Sequence, residues 1–170
     1  MNRKSSNKSL VCTVCGTLGT VLLIILILLC IPFTIPRLFG YQAYTVISGS
    51  MEPAISTGSL VYIKSMEPEA VLNGDVIAYY GGRDSNAIIT HRVMENRVIM
   101  GEFQTKGDAN QTEDMNPVSY DSFIGRVELS IPWIGILAQI MTSQDGKIAV
   151  CCTIGQAVVL HLIAAVLERK

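Results

Sequence analysis

Ser9 to Pro36 carries no charged residue, and within it Val21 to Ile31 (Val-Leu-Leu-Ile-Ile-Leu-Ile-Leu-Leu-Cys-Ile) carries no polar one. These 28 residues exceed the ~20 that a helix needs to cross a bilayer core. A secretory leader also begins basic and turns apolar, but its apolar part runs only ~7–15 residues and closes on small side chains. The stretch here is about twice that length and leaves through Phe39-Gly40-Tyr41-Gln42. An uncleaved transmembrane anchor is therefore expected. Ile148 to Leu167 is a second uncharged stretch, of 20 residues, interrupted by Gln156 and His161. A second span is expected there.

Three regions follow: a basic tail and anchor over 1–40, an extramembrane domain over 41–146, and the second span with a short basic tail over 147–170. The middle region is long enough for one compact core. It holds 13 of the 14 acidic residues against six basic ones, so it stands near −7 while the whole chain is −1. Nucleic acid, whose phosphates demand Lys and Arg, is a poor partner for such a surface. Arg3, Lys4 and Lys8 precede the first span, and Arg169 and Lys170 follow the second. Positive flanks stay on the cytoplasmic side, so a multi-pass protein of the cell membrane is expected, with both termini inside and the acidic domain outside. Arg37, just past the first span, runs against that assignment.

The five cysteines (Cys12, Cys15, Cys30, Cys151, Cys152) all lie outside 41–146, which leaves that domain without an internal disulfide. Cys12 and Cys15 form a Cys-x-x-Cys with no second pair, half of what a zinc site needs. They read as small apolar residues at the edge of a span. Neither a metal nor another cofactor is expected.

The domain itself alternates short β-type runs with turn residues. Ala43–Ile47, Leu60–Ile63, Val76–Tyr80, Ala87–Thr90, Arg97–Met100, Phe103–Lys106 and Phe123–Leu129 are separated by Ser56-Thr57-Gly58, Asn73-Gly74-Asp75, Gly81-Gly82-Arg83-Asp84 and Gly107. That spacing predicts a mainly β, mostly antiparallel domain with no amphipathic helix of three turns. Ile131 to Leu137 is apolar but too short to span, and Trp133 suits a membrane interface as well as a core.

A Gly-flanked serine closes the first β run, in Ser48-Gly49-Ser50-Met51-Glu52-Pro53. A serine hydroxyl attacks only when a base takes its proton, and imidazole, with its usual pKa near ~6.5, is the common partner. Since His161 lies in the second apolar stretch, His91 is the one candidate in the domain, placed by its neighbours at a strand end. A carboxylate would orient the ring, and Asp108 and Asp114 are both candidates. Asp121 and Glu102 read as surface charge. The backbone N–H of Ser50 and the hydroxyl of Ser48 could supply an oxyanion hole. Ser65-Met66-Glu67-Pro68 repeats the tetrapeptide at 50–53, but it lacks the preceding glycine and sits among turn formers, so a solvated loop is expected.

Ser48–Pro53, Thr90-His91-Arg92-Val93 and Thr105-Lys106-Gly107-Asp108-Ala109-Asn110 together resemble the three signature boxes of type I signal peptidases. The match is to the endoplasmic-reticulum-type branch, which archaea and the SipW-like enzymes of spore-forming bacteria share. It covers about 41–137, with Asn73–Ile77 and Ile124–Val127 fitting the flanking strands. The resemblance implies a membrane-bound serine endopeptidase that removes signal peptides from exported preproteins. It implies a twisted antiparallel β domain that takes the substrate as an added strand, with shallow pockets for small residues before the cut. It also implies Ser50 as nucleophile and His91 as general base, where the common bacterial branch carries a lysine. The orienting carboxylate is implied to be Asp114, with Asp108 also important, and Ser48 the oxyanion-hole hydroxyl. Membrane lipid and a secretion translocon are the partners that go with such an enzyme. The alternative is a non-catalytic anchored β domain that binds extended peptides or a partner protein.

Overall fold

The computed structural model describes residues 3–81 and 87–168. Most of the turn expected at Gly81–Asp84, and the basic pair Arg169 and Lys170, lie outside the described residues. The chain forms two compact units, Ile35–Gln139 and the remainder on either side of it.

The sheet unit contains β1 (Tyr41–Thr45), β2 (Leu60–Lys64), β3 (Val76–Tyr80), β4 (Ile88–Arg97), β5 (Glu102–Lys106), β6 (Val118–Ser119) and β7 (Phe123–Ile131). They form one sheet in the order β1-β2-β7-β3-β4-β5-β6, with each pairing antiparallel. The mainly β antiparallel reading is therefore correct. Register shifts at Tyr62/Ile63, Ala78/Tyr79 and Val93/Glu95 mark bulges, which raise local twist and let a long sheet curl.

Strand alternation gives β3 two apolar faces. Ala78 joins one core cluster with Val46, Met51, Ile55, Val61 and Ile63. Ile77 and Tyr79 join another with Val71, Val93, Phe103 and Val118. His91 pairs with Ile77, and Val93 with Thr105, so His91 and Thr105 share the face of the second cluster.

Three sequence expectations change, and one element is new. The Arg97–Met100 run is the β4–β5 reversal: Arg97 opposes Glu102, and Gly101 closes the turn at φ +67°. Ile99, at its tip, is fully exposed. His91 stands within β4 rather than at its end, because Arg92 to Arg97 continue the strand by pairing with β5. Ile131–Leu137 is not one segment: β7 ends at Ile131, Trp133 takes a positive φ of 69°, and a helix α2 runs Ile134–Thr142. The two-residue β6 was not foreseen, being too short to show alternation.

The other unit is built on α1 (Arg3–Leu38) and α3 (Gln144–Glu168). Leu10–Leu38, with mean hydropathy 2.9, and Gln144–Glu168, with 2.2, are long and apolar enough to cross a membrane. They pack antiparallel along small residues. The Cys12 thiol donates to the Ala164 carbonyl at 3.2 Å, while a Cβ on Gly19 would lie 3.0 Å from the His161 ring. Close backbone approach through Gly and Ala is how helices associate where solvent gives no hydrophobic drive.

Candidate active site

Ser50 leaves β1 through a segment whose position is fixed from beneath. Val46 still bonds Ser59 across from β1 (N–H to O, 2.9 Å). Met51 is wholly buried in the first cluster and Ile55 nearly so, with Ile55 N–H donating to Met51 O at 2.9 Å. Burying the methionine turns the adjacent Ser50 outward. The Glu52 carboxylate accepts from Thr57, N–H at 3.3 Å and hydroxyl at 3.1 Å.

The partners of Ser50 come from 41 to 59 residues further along the chain. Its carbonyl accepts from Ala109 N–H at 2.9 Å. A Cβ on Gly107 would lie 2.6 Å from that carbonyl oxygen and 3.0 Å from His91 Nε2. Glycine is required there because the Ser50 backbone and the imidazole close on the same point. The Ser50 and Ser48 hydroxyls are 3.5 Å apart; among the described residues Ser50 Oγ makes no hydrogen bond to the ring.

Asp108 and Asp114 part company. Asp114 meets the ring: its Oδ2 is 2.6 Å from His91 Nδ1 and also accepts from the buried Thr105 hydroxyl at 2.7 Å. Backbone bonds hold it there, Asp114 N–H to Thr105 O at 2.9 Å and Gln104 Nε2 to Asp114 O at 2.8 Å. A carboxylate at that distance fixes the proton on Nδ1, which leaves Nε2 as the basic nitrogen facing Gly107 and Ser50. Asp108 lies instead on Arg92, bidentate at 2.8 and 2.6 Å, and Arg92 Nη1 donates to Gly74 O at 2.7 Å. That pairing pushes the Arg92 pKa up, the hydrogen bond to Asp108 leading.

Tyr79 completes the enclosure. Its hydroxyl is 3.4 Å from His91 Nδ1 and the two rings meet edge to face at 6.3 Å. Burial pushes its pKa up to about 12, against a hydrogen bond with Thr105 and with the Asp114 charge adding to the rise. Thr105, Tyr79 and Gly107 were not singled out as site residues from sequence. The available signal was alternation, which puts Tyr79, His91 and Thr105 on one face once the register is known.

No family model matches the chain. It is 41% identical over 88 residues to Signal peptidase I W of Bacillus subtilis, covering 49% of this chain and 45% of that protein. It is 30% identical over 129 residues to the human Signal peptidase complex catalytic subunit SEC11C, covering 68% and 65%. With the subunit SEC11 of the yeast Ogataea parapolymorpha it shares 28% over 130 residues, covering 65% and 73%. The chain thus spans about half to two thirds of the length of the first two of these relatives. Fold and relatives together define the class, a signal-peptidase-type β domain carried with apolar helices. The chain is similar to the type I signal peptidases, in the branch of Signal peptidase I W and the SEC11 subunits.

Proposed function

We propose that this chain is a membrane-bound serine endopeptidase that cuts signal peptides from exported preproteins after small residues. The observation that carries this reading is the His91–Asp114 contact of 2.6 Å, with the opposite ring nitrogen beside the glycine that also touches Ser50.

Ser50 Oγ attacks the scissile carbonyl carbon while His91 Nε2 takes the hydroxyl proton. The negative charge that develops on the carbonyl oxygen is met by the Ser50 N–H and the Ser48 hydroxyl. The C–N bond then breaks, the leaving amine taking the proton from Nε2, and the signal peptide remains as an ester on Ser50. Water, deprotonated by the same nitrogen, hydrolyses the ester. Attack requires the Ser50 hydroxyl to rotate from Ser48 towards the ring; such bonds commonly tighten only with substrate in place. Asp108 acts at one remove, through Arg92, by holding the 107–110 loop against Ser50. Lipid surrounds the two apolar helices, the β domain faces outward from the cell membrane, and preproteins arrive from a secretion translocon.

Purified full-length protein in detergent should cleave a preprotein after a small residue. Ser50→Ala and His91→Ala should each abolish cleavage. Full activity in either variant overturns the reading and favours the non-catalytic peptide-binding domain.

A further inference from the structure

The phenol of Tyr79 stands where a catalytic pair of serine and histidine has no chemical need of it. Tyr79 is 7% exposed, and Phe103, Val93 and Ile77 pack in the same cluster. A hydrocarbon ring would fill that place without a polar atom to satisfy. A buried hydroxyl is costly unless bonded. Its hydroxyl lies 3.4 Å from His91 Nδ1, where the Asp114 carboxylate gathers the ring nitrogen and the Thr105 hydroxyl.

Bond accounting decides where its proton goes. Nδ1 holds one proton, and the 2.6 Å contact commits that proton to Asp114. Protonated Nδ1 has no lone pair left to accept from Tyr79. The phenol proton is left to the Asp114 carboxylate, which already accepts from Thr105 and His91, either directly or through the Thr105 oxygen. The phenol stays neutral at working pH, since burial drives its pKa to about 12.

We infer that Tyr79 is a positioning residue of the proposed site: it acts on His91 through Asp114, as a third donor that tempers the carboxylate. The inference rests on the Ser50–His91 reading for its catalytic consequence, though not for its effect on the ring. Each hydrogen bond to the ionised carboxylate stabilises that charge locally and weakens its pull on the imidazolium. Asp114 is the charged group that meets the ring. From β3 the ring faces Tyr79 and from β5 it faces Thr105, while Arg92 with Asp108, and Lys106, occupy the alternate face of β4 and β5. Losing the phenol leaves the Asp114 charge less spread, so the ring holds its proton to higher pH.

The test compares wild type, Tyr79→Phe and Thr105→Val in the full-length protein. The His91 ring is followed by NMR across pH, assigned against His161→Gln, alongside kcat/KM for preprotein cleavage. Tyr79→Phe keeps the packed ring, and its fold is checked by the unfolding midpoint at neutral pH. The expected result is a His91 midpoint higher by about half a pH unit or more. The acidic limb of kcat/KM should move with it, with the plateau within about threefold. Thr105→Val should shift the midpoint in the same direction. A Tyr79→Phe midpoint that is unchanged, or lower, overturns the inference. Because the ring is read directly, a protein that cleaves nothing still reports on Tyr79, and only the proposed function fails.

Discussion

Ser50-Met51-Glu52-Pro53 and Ser65-Met66-Glu67-Pro68 are the same four residues, 15 positions apart, and they end in different surroundings. In the first, the methionine is fully buried in the cluster of Val46, Ile55, Val61, Ile63 and Ala78. In the second, Met66 is half-buried against the other cluster, and Pro68 opens a 3-10 turn after Ser65, which is exposed. Ser50 carries the Ala109 bond on its carbonyl and has Gly107 against it. The lesson is that the tetrapeptide is not itself a site. What distinguishes the copies is the long-range closure that brings the β5–β6 loop over one serine.

The sharpest way to break the comparison is to mutate both serines. Ser50→Ala should lower preprotein cleavage by about 10³-fold or more, and Ser65→Ala should leave it within about twofold. A large loss at Ser65 would show that the wrong copy has been placed at the site. The two aspartates offer the next largest contrast. Asp114→Asn should lower kcat by roughly 10³–10⁴, as losing the ring's orienting carboxylate does in other serine hydrolases. Asp108→Asn should act mainly on folding, costing about 1–3 kcal/mol as its pair with Arg92 weakens. Chemical denaturation and single-turnover rates separate the two effects.

The methionines sharpen the comparison at the level of packing. Met51→Ala should cost about 2–5 kcal/mol in unfolding free energy, while Met66→Ala, half-buried, should cost less than about half of that. Equal costs would mean that the first copy is no better anchored than the second. The smallest effect is a pH dependence on the Met66 side of the sheet, where Tyr79 lies. Its folded pKa, about 12, exceeds the ordinary value near ~10. The neutral phenol is therefore favoured by folding, so its contribution is complete below pH ~10 and is lost as pH rises towards ~12. Tyr79→Phe should flatten that stretch of the stability profile, measured as the difference from wild type by denaturant titration.

Much of this was legible before any coordinates. The two apolar helices follow from length and lack of charge alone. The strands over 60–64, 76–80 and 102–106 follow from β-branched and aromatic runs between turn residues. The stretch at 97–100 misled because Val98, Ile99 and Met100 are apolar yet exposed; its turn is set by the pairing of Arg97 with Glu102, which no local pattern announces. The choice between Asp108 and Asp114 was equally illegible from the residues. Both lie in the loop after β5, and which one reaches His91 depends on the path of that loop. Arg92, adjacent to His91 in sequence but on the alternate face of β4, takes Asp108 for itself.

The amino-acid order by itself determined where lipid-suited helices begin, that the middle of the chain is an acidic β domain, and which serine, histidine and carboxylates were available. Those are properties of composition and short-range periodicity, which are written residue by residue. Only the tertiary structure decided which carboxylate stands on the imidazole, which serine lies beside Gly107, and that Tyr79 and Thr105 share the enclosure. These depend on strand register and on one loop closing over another, and a shift of one residue in register would turn His91 to the opposite face.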